Sequence, residues 1–362
     1  MNGSTFALPK RIPIGMAAAA FLLAVQAPAT RADDFFAGNQ ITLIISTGVG
    51  GSFDANGRIL ARYLGEHLPG KPNVVPKNMP GAGHVRAANY LYTQAAKDGT
   101  VIGSLVPAFI LGQVFDGRGV QFDAAKFEWI GSTSTGNSTV YAWHTAGINS
   151  IADAMKRQVL MGATGVGTYT TLYPSVLNNV IGTKFKIIAG YNSASQINLA
   201  MERGEVQGRA GNNLTSLKQE NPDWLRDKKI VLLTQVGLER DPEFPNVPLM
   251  TELGKSEEQK KILHVFSVDV VLGRPFLAPP GLPADRLAAL RKGYDAAVRD
   301  PAFVKESGNG ELGVKPMDGA FVQSLVKDLV GTPHDIVDKA KAAMNSKDVV
   351  DNGKKKTEKG GK

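Results

Sequence analysis

The chain of 362 residues contains no cysteine. Disulfides, thiolate metal sites and lipid attachment through a cysteine are thereby excluded. Histidine is sparse as well: His67, His84, His144, His264 and His334 stand apart, with neither H-x-x-x-H nor H-E-x-x-H spacing, so no metal ligand set is visible. There is no G-x-S-x-G elbow, because "STSTG" (132–136) puts serine where the first glycine should stand. No pair of carboxylates stands out as an acid/base couple. These absences point away from an enzyme, and neither a cofactor nor a metal is expected.

Excess positive charge is also missing from most of the molecule. The total is +8, but residues 1–32 carry Lys10, Arg11 and Arg31 with no acid, a net of +3. The segment from Asn345 onward sets six lysines against Asp348, Asp351 and Glu358, again +3, which leaves +2 for the body. A nucleic-acid binder should hold its charge on the folded body. The ending "GKKKTEKGGK" reads as a solvated tail, and residues 346–362 are expected to be disordered.

No apolar run reaches spanning length. The longest feature of that kind, "IGMAAAAFLLAV", follows Lys10 and Arg11 and precedes "QAPATRADD". A basic start, a short apolar run and small residues at a cut site read as a signal peptide over 1–32, cleaved after Ala29 or Ala32. The expected product is a soluble exported protein, periplasmic and monomeric.

What is present is an alternation of strands and helices. "ITLIIST" (41–47) is β-branched and runs into a helix reaching about Glu66, with Ile59, Leu60, Tyr63 and Leu64 on one face. "PNVVPKN" and "VIGSL" are further strands around the helix "AGHVRAANYLYTQ". A second series of the same kind starts near residue 150 with "IADAMKR", "QVLMGAT", "YTTLYPSVLNNVIG", "FKIIAGY" and "SASQINLAMERG". "KIVLLTQVG" and "VDVVLGRPFLAPPGLP" read as later strands, followed by the helices "ADRLAALRKGYDAAVRD" and "DGAFVQSLVKDLV". Such alternation predicts parallel βαβ units. The expected architecture is two Rossmann-like α/β domains with a ligand cleft between them. The first is built from 33–136 and 266–345, and the second from 137–265.

Glycines gather where strands hand over to helices. "TGVGGSFD" (47–54) brings bare backbone to a helix start, where unpaired N–H groups and a partial positive charge suit a small anion. A nucleotide fits poorly. The third fingerprint position after Gly48 and Gly50 is Phe53, and "GATGVGT" (162–168) lacks the P-loop lysine. "NMPGAG" (78–83), "ATGVGTY" (163–169) and "GYNSAS" (190–195) are loops of the same kind. Asp54 has two readings: a first-turn acid complementing the helix dipole, or a group that binds a ligand hydroxyl or amine or fixes the loop.

Taken in order, "GGSFD", "NMPGAG", "AANYLY" (87–92), "KDGTVIG" (97–103), "GATGVGTYTTLYP", "IIAGYNSASQINLAMERGEVQG" and "FLAPPGLPADRLAALRK" resemble the substrate-binding receptors of tripartite tricarboxylate transporters, the Bug family. The resemblance spans roughly Phe36 to Leu329. It implies a type II periplasmic binding protein that holds carboxylates between two closing lobes. By matching position it implies that Gly50, Gly51, Phe53 and Asp54 form a first-lobe loop and Gly81, Ala82 and Gly83 a second. Gly165, Gly167 and Thr168 would form the second-lobe anion loop, with Tyr191, Asn192 and Ser193 close by. Ser52, His84 and Thr164 complete the candidate set from within these loops, and Arg209, in "VQGRAGN", is a candidate carboxylate partner. Val49 stands where the family often has proline, His84 where it often has glycine, and Asn192 where a lysine is common. The implied function is capture of a small organic acid and its delivery to the membrane components of such a transporter. The alternatives are a sensory adaptor for a membrane kinase and an exported enzyme on a bilobed scaffold.

Overall fold

A computed structural model describes Gly3 and residues 35–307, 315–345 and 347–351. The expected signal peptide and most of the expected tail lie outside the described residues.

The first run of elements is β1 (Gln40–Ile45), α1 (Ser52–Glu66), β2 (Asn73–Asn78), α2 (Val85–Thr93), β3 (Val101–Ser104), α3 (Ala108–Phe115) and β4 (Glu128–Ser132). The second is β5 (Ser138–Trp143), α4 (Ile151–Lys156), β6 (Val159–Ala163), α5 (Tyr169–Ile181), β7 (Phe185–Ala189), α6 (Ala194–Glu202), β8 (Gly208–Asn213), α7 (Leu214–Glu220), α8 (Pro222–Arg226) and β9 (Ile230–Val236). The chain closes with α9 (Glu257–Leu272), β10 (Pro275–Ala278), α10 (Ala284–Ala297), α11 (Pro301–Glu306), β11 (Met317–Asp318), α12 (Gly319–Val330), α13 (His334–Met344) and β12 (Val349–Asp351).

These strands build two six-stranded sheets, ordered β11-β4-β10-β3-β1-β2 and β12-β7-β6-β8-β5-β9. β1 is parallel to both β2 and β3, and β6 to both β7 and β8, as the alternation predicts. The sheets are nevertheless mixed. β10 runs antiparallel to β3 and β4, and β5 antiparallel to β8 and β9. Each antiparallel strand sits where the chain enters or leaves a sheet by crossing to the other lobe, so no helical crossover sets its direction.

Three expectations are corrected. "VDVVL" is not a strand but the end of α9. Ser256 caps that helix by accepting the Gln259 N–H, and Glu257 and Glu258 sit in its first turn. Its second half is buried almost all round, so valine there reports burial rather than strand. Residues 266–345 are not simply a return to the first lobe, because α13 packs on α5 and α9 as well as on α3. The tail does not begin at 346 without structure: Val349–Asp351 pairs in parallel with Ile187–Ala189, and Val349 packs on the cluster of Ala163, Ile187 and Ala189. Two apolar valines at an open sheet edge outweigh the charge that follows them.

The chain therefore passes between lobes three times: after β4, through α9 into β10, and after α12. At the first two crossings the segments touch. Gly273 has φ +56, and a Cβ there would lie 1.7 Å from the Ser134 carbonyl oxygen, so only glycine lets the strands approach this closely. A continuous core joins Phe109 and Trp129 of the first lobe to Tyr173 and Val176 of the second through Phe266 of α9.

Candidate functional site

Loop 47–51 follows β1, whose apolar residues Ile41, Leu43 and Ile45 are fully buried. It ends at Gly51, the N-cap of α1, which offers no side chain to the helix's first N–H groups. Asp54 is 3% exposed and points into the lobe. It accepts the Gly50 N–H at 3.0 Å, Arg58 Nε at 3.0 Å and Asn78 Nδ2 at 2.7 Å. Burial alone would push its carboxyl up. The bonds from Arg58, Asn78 and Gly50 outweigh that and hold it below the ordinary value. With its charge met by Arg58, Asp54 braces the loop without repelling an anion at the helix start.

The second loop is tied to the first strand. His84 Nδ1 donates to the Ser46 carbonyl at 3.0 Å, while Ser46 Oγ accepts the Val106 N–H at 3.0 Å. Gly81, Ala82, Gly83 and His84 all have positive φ, so two L-residues are held in the sparsely populated left-handed region. In the second lobe Thr168 is the N-cap of α5, and its hydroxyl donates to the Gly165 carbonyl at 2.8 Å instead of capping the helix. The Thr164 N–H donates to Thr170 Oγ1 at 3.0 Å. α5 therefore begins, like α1, without a side-chain cap.

Both helix starts reach one cavity of about 300 Å3 between the lobes. Its walls are Ser52 and Phe53 of α1, Val106 and Pro107 after β3, Tyr169 and Tyr173 of α5, Gly211 and Asn213 of β8, and the crossing segments with Ser134, Thr135, Asp269, Gly273 and Arg274. A larger cavity of about 570 Å3 adjoins it at Thr135 and Thr215, but among the described residues no glycine-rich loop of the kind at 47–51 or uncapped helix start faces that one.

Of the candidates read from sequence, Ser52 and Phe53 line the smaller cavity, and Gly51 and Thr168 cap the helices that enter it. Gly50, Gly165 and Gly167 sit in the same two loops, where an added Cβ would meet no atom within 4 Å. The third group lies elsewhere. Ser193 caps α6 by accepting the Gln196 N–H, the Asn192 N–H donates to Gln196, and Tyr191 packs beside the apolar cluster under α6. Arg209 is 4% exposed and donates to Asn198 Oδ1 at 2.7 Å, away from the cavity wall.

Asp269, Tyr169, Tyr173, Gly211 and Arg274 were missed from sequence. Asp269 is 3% exposed on α9. Its Oδ2 accepts the Tyr169 hydroxyl, and its Oδ1 has no hydrogen-bond partner. Burial pushes the Asp269 carboxyl up to about 6, against the pull of the Tyr169 bond. The Tyr169 and Tyr173 rings stack 5.3 Å apart. Gly211 has φ +76, and a Cβ there would lie 2.9 Å from the Tyr169 carbonyl carbon, so glycine lets β8 pass close under the start of α5. A single acid inside the apolar run "VFSVDVVL" was the available signal.

Two α/β lobes joined by crossing segments, with a cavity of mixed polar and apolar lining between them, define a solute-binding protein of the type II periplasmic fold. The chain belongs to the tripartite tricarboxylate transporter family receptors, which it matches over residues 57–342, and so is a periplasmic solute-binding receptor of that transporter type. It is 25% identical over 300 residues to a UPF0065 protein in the gbd 5′ region of Cupriavidus necator, covering 80% of this chain and 84% of that one. A TctC solute-binding protein from Polaromonas shares the fold with a TM-score of 0.66 at 19% identity, over 83% of this chain and 99% of that one. An R. palustris protein with adipate superposes with a TM-score of 0.53 at 18% identity, over 84% and 97%. Among the described residues no group of three or more His, Cys, Asp or Glu side chains could hold a metal.

Proposed function

We propose that this receptor takes a small organic acid into the cavity between α1 and α5 and hands it to the membrane components of its transporter. The observation that carries this is the meeting of two uncapped helix starts, one from each lobe, at a single cavity. Each start offers unpaired N–H groups and a dipole favouring an anion by roughly 0.3–1 kcal/mol, rising to about 2 when partly buried. Ser52, Phe53 and the loop glycines contribute from the first lobe, Tyr169 and the Thr164–Thr168 loop from the second. A ligand that touches both lobes favours the closed arrangement because only there are both sets of contacts made. The adipate-bound relative supports an acid of this size. The protein acts as a monomer after removal of residues 1–29 or 1–32.

A thermal-shift panel of mono- and dicarboxylates set against neutral sugars tests the reading. Carboxylates should raise the melting temperature and sugars should not. A shift with sugars or nucleotides and none across the acids would overturn it. Native mass spectrometry of the purified protein would identify a retained acid directly.

A further inference from the structure

Asp269 is the cavity group that an anion site does not explain. It is 3% exposed and lines the wall, and its Oδ1 is buried with no hydrogen-bond partner. A buried carboxylate oxygen left in this state is costly, and a site that holds a carboxylate ligand gains nothing from a second one nearby. The other oxygen is already occupied by the Tyr169 hydroxyl, which fixes the carboxyl group's orientation. The groups facing it are Tyr169 and Tyr173 from α5, and Arg274 lies just past the end of its own helix on the same wall. The wall thus holds one guanidinium and one carboxylate, a pattern of both signs rather than a purely cationic one.

We propose that the ligand carries, beside its acid group, a protonated amine that donates to Oδ1 of Asp269, making the solute an amino acid or a similar zwitterion. This rests on the carboxylate reading for the acid end. A hydroxyl would satisfy the hydrogen bond but leave the buried charge unmatched; an ammonium does both. Burial pushes the Asp269 carboxyl up to about 6, and an ammonium beside Oδ1 favours its ionised, accepting form. The uncapped helix starts then take the ligand's carboxylate, and Asp269 sets which acids qualify.

The test is isothermal calorimetry on the mature protein. The probes are the proteinogenic L-amino acids, each with the acid lacking its amino group and the amine lacking its carboxyl, such as phenylalanine, 3-phenylpropionate and phenethylamine. The expected result is binding of at least one amino acid, a deaminated counterpart about thirty-fold weaker or worse, and loss of that difference in Asp269→Asn. A deaminated acid that binds as well as its parent overturns the inference and leaves the carboxylate reading standing. An amine that binds as well as its amino acid supports Asp269's part and overturns the carboxylate reading. A panel in which no amino acid binds overturns the inference, as does a preference that survives Asp269→Asn. The wild-type arms decide the question even where the variant does not fold.

Discussion

Thr133 Oγ1 donates to Asn56 Oδ1 at 2.9 Å, and both residues are buried. One bond thus joins the segment that leaves the first lobe to the helix that carries the first glycine loop. Thr133→Val keeps the shape and removes the donor, leaving a buried amide oxygen unmet. The expected cost is about 1–3 kcal/mol in urea denaturation. A loss within about 0.5 kcal/mol, the usual range for surface changes, would show that the bond does not brace the crossing.

Gly51→Val should separate binding from folding. Gly51 has φ −86, and an added Cβ meets no atom within 4 Å, so the backbone accepts the change. The new side chain stands at the start of α1, where a ligand carboxylate would approach. Affinity for the bound acid should fall at least about ten-fold, equivalent to roughly 1.4 kcal/mol, while the melting temperature stays within a few degrees. Unchanged affinity would move the site away from this loop.

Asp269 should make stability depend on pH in a direction opposite to that of a paired carboxylate. Its carboxyl is held at about 6 in the folded protein, against 3.8 for the unperturbed group. Between those values the native state binds more protons than the unfolded chain, so stability falls as pH rises through the window and stays lower above it. The accumulated loss is on the order of 3 kcal/mol. Asp269→Asn lacks it and should be the more stable protein at pH 7, with an advantage that shrinks toward pH 4. Urea denaturation of both proteins across that range checks this; a gap that does not change with pH would contradict it.

Removing residues 347–362 should uncover the β7 edge. Val349 would no longer cover Ala163, Ile187 and Ala189, and Ile187 and Ile188 would lose their strand neighbours. A fall of about 2–4 °C in melting temperature corresponds to roughly 1 kcal/mol in a chain of this size. No change would mean that the strand is incidental to stability.

Legibility followed local chemistry. Glycine at helix starts and apolar runs before them marked β1, β6 and β7 and the helices after them, because each signal lies within a few residues of its effect; β3 was legible as a strand, but α3 after it starts at no glycine and was not. β8, "GRAGNN", has neither apolar alternation nor branching, and its strand character comes from neighbours far away in sequence. α9 was misread because a helix buried on nearly every side shows no periodicity. For the same reason Asp269 escaped notice: its chemistry arises from being enclosed by α5, which no spacing encodes. Asp54 was legible as a residue, but its inward turn depended on Arg58 and Asn78 arriving from two directions.

The position of β10 has a consequence for biogenesis. This strand occupies the middle of the first sheet, between β3 and β4, yet it comes from Pro275–Ala278. Until the ribosome has passed that point, the first sheet lacks the strand that joins β3 to β4 and cannot be completed. Late supply of a central strand keeps a nascent chain loose, which is the condition that threading through a translocation channel requires.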